Sequence, residues 1–300
     1  MNQLFTKVKC RASAKAHGGK SRLCREIISH FPTHKQWSVE TVGRIYYFEP
    51  FVYTGSVATN LHTGNLGIVR VSLTDLDPAK INLLNVIKYK CDKFVERLSN
   101  IEYCQASFDW SIDALKHVNA LEDPEMADDI YWAAAFIVNN RMSRGGLGKT
   151  FAWSERQRGG QPGDLNAWKT MMVDLKLISD RLSNYDIYTK NGLFILWKTR
   201  CSPNTLLYMD PPYLIETRTA KKAYGKFECT DKFHRVMLKM ALRHKGKIII
   251  SGYRSKLYDT MLAGWRRIEF DVPNNSGQGK TKQRRIECIW LNYDEKGNHL

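Results

Sequence analysis

Hydrophobic positions along the chain fall into short runs whose spacing alternates between helical and extended. In residues 21–31, Leu23, Ile27, Ile28 and Phe31 recur on one side, which predicts a helix. Residues 45–51 have the character of a buried strand that ends at Glu49-Pro50. A second strand-like run, 67–73, ends at Asp75, and Pro78 then suits the first turn of a helix over roughly 78–98. Strand, loop, helix, strand, acid, helix is the opening of a doubly wound α/β sheet.

The pattern changes over residues 106–183, which are helix-rich and carry a loop of glycine, arginine and tryptophan at 141–163. Strand-like runs resume at 205–209, 247–251, 267–272 and 284–291. The economical architecture is a Rossmann-like parallel sheet shared by residues 1–105 and 184–300, with a mainly helical insertion at 106–183. No internal repeat or low-complexity tract interrupts it.

Composition narrows the partners. The 300 residues are 43% hydrophobic, enough for a full core, and carry a formal charge of +16, from 46 basic against 30 acidic residues. That excess predicts a polyanionic partner, nucleic acid first and an acidic membrane surface second. The apolar run at 130–138 is far too short to span a bilayer, and the basic N-terminus lacks a following apolar stretch. Cys10, Cys24, Cys91, Cys104, Cys201, Cys229 and Cys288 are scattered, with no Cys-x-x-Cys pair and no metal-ligand spacing. A cytoplasmic protein with reduced thiols and no metal is expected.

The chemistry concentrates at Asp210-Pro211-Pro212-Tyr213, directly after the run at 205–209. Two prolines fix φ near −65° and stop the strand in a stiff corner. The corner presents a carboxylate, a carbonyl and an aromatic ring. These can hold a planar base bearing an exocyclic amine: Asp210 accepts one amine hydrogen, the Pro211 carbonyl accepts the other, and Tyr213 stacks. Glu49-Pro50-Phe51 through Gly55-Ser56 is a turn at a sheet's carboxyl edge, where nucleotide-like cofactors bind. Asp75 suits ribose hydroxyls, whereas Asp77, just before Pro78, suits a helix N-terminus. His17-Gly18-Gly19-Lys20 offers backbone amides and a lysine to an anionic group. Gly148-Lys149-Thr150 suggests a phosphate-binding loop, but Ser143 holds the required glycine position and no strand precedes it. Arg141, Arg144, Lys149, Arg156 and Arg158, interleaved with Phe151 and Trp153, instead suit nucleic acid. Arg218, Lys221, Lys222 and Lys226, then Lys280, Lys282, Arg284 and Arg285, extend a groove that tracks phosphates.

The ordered set resembles Dam-type adenine-N6 DNA methyltransferases of the alpha group, in their phage and mobile-element branch, over nearly the whole chain. Gly18-Gly19-Lys20-Ser21-Arg22-Leu23 is similar to that family's N-terminal motif, Glu49-Pro50-Phe51 with Gly55-Ser56-Val57 to its methionine-donor motif, and Asp75 to its ribose-side acid. Asp210-Pro211-Pro212-Tyr213 matches its catalytic motif, and Ser251-Gly252-Tyr253 and residues 285–293 its late motifs. The resemblance implies a Rossmann-like fold, a target-recognition role for 106–183, S-adenosylmethionine as cofactor and a flipped adenine of double-stranded DNA as acceptor. A monomer or weak dimer is expected. Asp210, Pro211, Pro212 and Tyr213 would be catalytic. Gly19, Lys20, Glu49, Pro50, Phe51, Gly55, Ser56, Asp75, Asn191 and Asp210 would serve the donor.

Two positions depart from the family pattern. Tyr53 stands where the family usually has a small residue, and either crowds the methionine end or swings out. Asn191 stands where an acid is usual. Competing classes are a catalytically silent methyltransferase fold acting as a DNA-binding or partner subunit, and an RNA-directed methyltransferase. The leading aspartate of the catalytic motif disfavours methylation of protein glutamine, and no amphipathic helix supports the membrane surface.

Overall fold

A computed structural model of the chain describes residues 4–6, 8–15, 19–37, 44–158, 160–218, 224–273 and 284–300. The short helix α1 (Cys24–Ser29) buries Cys24, Ile27 and Ile28, and Leu23 and Phe31 extend the same apolar side. β1 (Ile45–Glu49), a single-turn helix α2 (Thr63–Leu66) and β2 (Ile68–Asp75) follow. Asp77 caps the long helix α3 (Pro78–Ser99), accepting the Ala79 N–H at 3.1 Å, with Pro78 in the first turn where a missing N–H costs nothing.

The middle of the chain comprises α4 (Gln105–Ala120), α5 (Asp129–Arg141), a small ribbon of β3 (Gln157–Arg158) and β4 (Gln161–Pro162), and α6 (Gly163–Leu182). Helices α5 and α6 pack on α3, so Ile137, Val138, Leu175 and Ile178 share one core with Ile87 and Phe94. β5 (Asp186–Thr189), α7 (Gly192–Thr199), β6 (Thr205–Met209), α8 (Asp231–Ala241), β7 (Lys247–Tyr253), α9 (Lys256–Met261), β8 (Arg266–Pro273) and β9 (Arg284–Leu291) complete the elements. Among the described residues no helix is long and apolar enough to cross a membrane.

Seven strands form one sheet in the order β5-β2-β1-β6-β7-β9-β8. The first five are parallel; β9 runs antiparallel between β7 and β8. The chain steps outward from β1 to β2 on one side and from β6 to β7 on the other. The reversal therefore falls between β1 and β6, where open α/β sheets bind ligands at the strands' carboxyl ends. Every residue of β6 is buried, as its unbroken apolar run requires. Leu207, Met209, Ile248 and Ile250 pack against Met237 and Leu238 of α8 in a second core cluster. Pairing of Phe48 with Leu207 brings the ends of β1 and β6 side by side.

β5 and α7 have no counterpart in the pattern-based expectation. β5 is a four-residue edge strand, half-buried throughout, and so lacks an alternating signal. In α7, residues 193–197 are all apolar, a run that shows neither helical nor extended period.

Candidate active site

The site grows from the two adjacent strand ends. Glu49, the last residue of β1, is buried, and its Oε2 accepts from the Tyr47 hydroxyl at 2.9 Å and the Ala58 N–H at 3.1 Å. Burial raises its carboxyl to about 8 against these two donors. The chain then turns: Val52 N–H bonds back to the Thr74 carbonyl at 3.0 Å, and Gly55 N–H to the Val52 carbonyl at 2.8 Å. Gly55 has φ +62°, a conformation that favours glycine.

Asp210 lies just past β6. Lys20, before α1, places its ammonium 2.9 Å from Asp210 Oδ1 and 2.8 Å from Glu287 Oε1 of β9. The Tyr213 hydroxyl donates to the same Glu287 oxygen at 2.6 Å. Burial disfavours the Lys20 charge, yet the two carboxylates outweigh it and hold the ammonium above its ordinary range. Burial raises the Asp210 carboxyl, with Lys20 pulling the other way. The Tyr213 ring lies 4.8 Å from the Lys20 ammonium and meets Tyr253 edge-to-face at 4.9 Å.

A cleft opens between these ends. Gly19, Lys20, Glu49, Phe51, Ser56, Asp75, Asp210, Pro211 and Tyr213, all expected from the sequence, line it. Pro50, Gly55 and Pro212 shape the turns beside it without lining it. His17 and Gly18 lie outside the described residues, as do Lys222, Lys280 and Lys282.

Tyr53 also lines the cleft, with φ +43°, the one positive value at a described non-glycine residue. Its N–H donates to Asp75 Oδ2 at 3.2 Å, and its hydroxyl donates to the Lys15 carbonyl at 2.9 Å. Asn140 of α5 donates to that hydroxyl at 3.2 Å. The phenol end thus turns toward α5, while the ring stays in the cleft wall.

Several expectations are corrected. Asn191 is exposed and caps α7, its side chain accepting the Leu193 N–H at 2.9 Å, and is not among the lining residues. The Lys20 ammonium is engaged by two protein carboxylates rather than held open for an anion. Arg141, expected at a phosphate, is turned into the protein. Its guanidinium donates to the Ser13 and Ala12 carbonyls, both at 2.7 Å, clamping α5 to the N-terminal segment, and burial lowers it to about 10. Arg218 is buried and paired with Glu228 across 2.5 Å. Arg144, Lys149, Arg156 and Arg284 are exposed, the last paired with Asp271; the Arg158 side chain lies outside the described residues.

Sequence reasoning passed over Glu287, Lys80, Tyr208 and Tyr224 as site residues. Lys80, Tyr208 and Tyr224 line the cleft. Glu287 was visible as the lone acid within residues 284–291, and Lys80 as a lysine one helical turn past the Asp75 corner. Tyr208 was indistinguishable from core. Among the described residues no group of acidic, histidine or cysteine side chains has the arrangement of a metal site.

A carboxyl-edge cleft at the reversal of a mainly parallel sheet, walled by Glu49, Asp75 and the Asp210 corner, is the ligand site of a Rossmann-like fold. The chain belongs to the D12 class N6 adenine-specific DNA methyltransferase family, whose model it matches over residues 17–272. It is 26% identical over 217 residues to the DNA adenine methylase of Haemophilus influenzae, a match covering 70% of this chain and 66% of that protein. Among solved structures it is similar to the rRNA methyltransferase aviRa from Streptomyces viridochromogenes, at 11% identity and a TM-score of 0.32 over 90% of this chain and 83% of that one. A likeness at that score adds nothing to the fold, which rests on the strand order itself.

Proposed function

We propose that this protein transfers a methyl group from S-adenosylmethionine to the N6 amine of an adenine flipped out of double-stranded DNA, as a cytoplasmic enzyme of the alpha-group, phage and mobile-element branch. The observation that carries the reading is one cleft walled by the Glu49–Ser56 turn, Asp75 and the Asp210-Pro211 corner. Residues expected on the donor side and on the acceptor side line the same cleft, which supports the reading.

The residues present fit the donor. Asp75 suits the ribose diol. Glu49 suits the α-ammonium, since both protein donors fall on Oε2 and leave Oε1 to the ligand. The donor, when bound, supplies an electrophilic methyl on a sulfonium. The amine of adenine is a weak nucleophile because its lone pair is delocalised into the ring. Asp210 accepts one amine hydrogen and the Pro211 carbonyl the other, which favours the pyramidal nitrogen that attacks. Lys20 opposes the rise that burial imposes on the Asp210 carboxyl, favouring the ionised acceptor inside a buried site. Pro211 and Pro212 fix the corner, so positioning is built in before substrate arrives. Exposed Arg144, Lys149 and Arg156, with Trp153 between them, give the insertion a phosphate-contacting loop.

The test is transfer of labelled methyl from S-adenosylmethionine to duplex DNA, followed by nucleoside analysis. Label in N6-methyladenine, absent with Asp210→Ala, supports the reading. Label in RNA alone, or in no nucleic acid from folded protein, overturns it.

A further inference from the structure

Asp75 offers four acceptor positions, two on each carboxylate oxygen, and protein donors occupy all four. Oδ1 takes the Asp77 N–H at 3.0 Å and the Lys80 ammonium at 3.4 Å; Oδ2 takes the Tyr53 N–H at 3.2 Å and the same ammonium at 3.5 Å. A ribose diol brings two hydroxyl donors and needs two of these positions. The two backbone donors cannot leave. Tyr53 is locked in a turn at positive φ, and Asp77 is the N-cap of α3. Lys80 can leave: its contacts are the longest, and its ammonium rides on a flexible stem.

Alternative anchors lie within the same reach. Asp77 Oδ2 is 3.7 Å from the Lys80 ammonium, and the Tyr53 ring centroid is 4.8 Å from it. A swing toward them frees both positions on Asp75 while keeping the cation compensated. The large Tyr53 side chain, otherwise out of place in a donor turn, supplies the receiving ring.

We propose that Lys80 is a gate on the donor site. It compensates buried Asp75 while the cleft is empty and must be displaced by the ribose diol, so it weakens donor binding and discriminates for ligands that carry both hydroxyls. This rests on the donor-site reading above.

Calorimetric titration of the full chain with S-adenosylhomocysteine, and with its 2′,3′-dideoxy analogue, tests it. Lys80→Met is expected to bind S-adenosylhomocysteine about five-fold more tightly than the unaltered protein, the order of one released hydrogen bond, with no gain for the dideoxy analogue. Lys80→Gln, which keeps a hydrogen-bonding head without charge, is expected to shift the same way and decides the matter if the methionine variant fails to fold. Equal or weaker binding by folded variants, or an equal gain for both probes, overturns the gate. Absence of S-adenosylhomocysteine binding by all three proteins overturns the donor-site reading, and the gate with it.

Discussion

Lys20→Met removes one charge from a buried cluster and leaves the apolar stem nearly intact. The ammonium sits 2.9 Å from Asp210 and 2.8 Å from Glu287, on a side chain only 4% exposed. Without it two carboxylates share a desolvated corner and lose the cation that bridges them. Breaking a buried pair by removing one partner costs about 3–5 kcal/mol. At roughly 2 °C per kcal/mol for a chain of this size, melting is expected to fall by about 6–10 °C. Asp210 is already raised by burial and held back by Lys20, so losing the cation raises it further. The ionised acceptor is present above that value and lost as pH falls through it. The acid limb of the methyl-transfer profile therefore moves to higher pH, and the rate at neutral pH drops. Scanning calorimetry and a pH series of initial rates read the two effects. Adding Glu287→Gln removes one of the stranded carboxylates and is expected to restore part of the melting loss, a coupling of about 0.5–3 kcal/mol. Unchanged melting together with an unshifted acid limb would refute the triad.

Other consequences are separable. With Glu49 raised to about 8, about 1% is ionised at pH 6 and about half at pH 8, so S-adenosylhomocysteine should bind roughly 50-fold more tightly at the higher pH. Glu49→Gln flattens that dependence, and equal affinities at both pH values would exclude the linkage. Combined Arg144→Ala, Lys149→Ala and Arg156→Ala is expected to reduce the salt slope of DNA binding by up to about 2.7, at about 0.9 per phosphate contact, whereas Arg218→Ala lowers melting and leaves the slope alone. Tyr53→Phe deletes the hydroxyl that bridges Lys15 and Asn140 and should cost about 1 kcal/mol in denaturant titration while donor binding persists.

The sheet was legible where strands are central and buried: 205–209 and 284–291 have the same bounds in the sequence pattern and in the fold. It was illegible at the edge, where β5 is half-buried and carries no alternation. At the site, residues at strand ends announced themselves through proline and acid placement, as Glu49-Pro50, Asp75 and Asp210-Pro211 do. Residues brought in by tertiary pairing did not. Glu287 reaches the Lys20 ammonium beside Asp210 only because β9 inserts beside β7, and nothing local marks that insertion. Basic residues were the least legible group. Arg141 and Arg218 have the same chemistry as Arg144, but their partners are backbone carbonyls and Glu228 rather than solvent. Charge counts report the sign of a partner and not which side chains meet it.

The most direct measurement is expression of the protein in a host without DNA methylation of its own, followed by modification-sensitive sequencing of the host DNA, with Asp210→Ala alongside. Methylated adenines in one recurring sequence context, lost in the Asp210→Ala cells, are the expected result. Unmodified adenines in cells holding soluble, folded protein would contradict the assignment of Asp210 and its corner to adenine methylation.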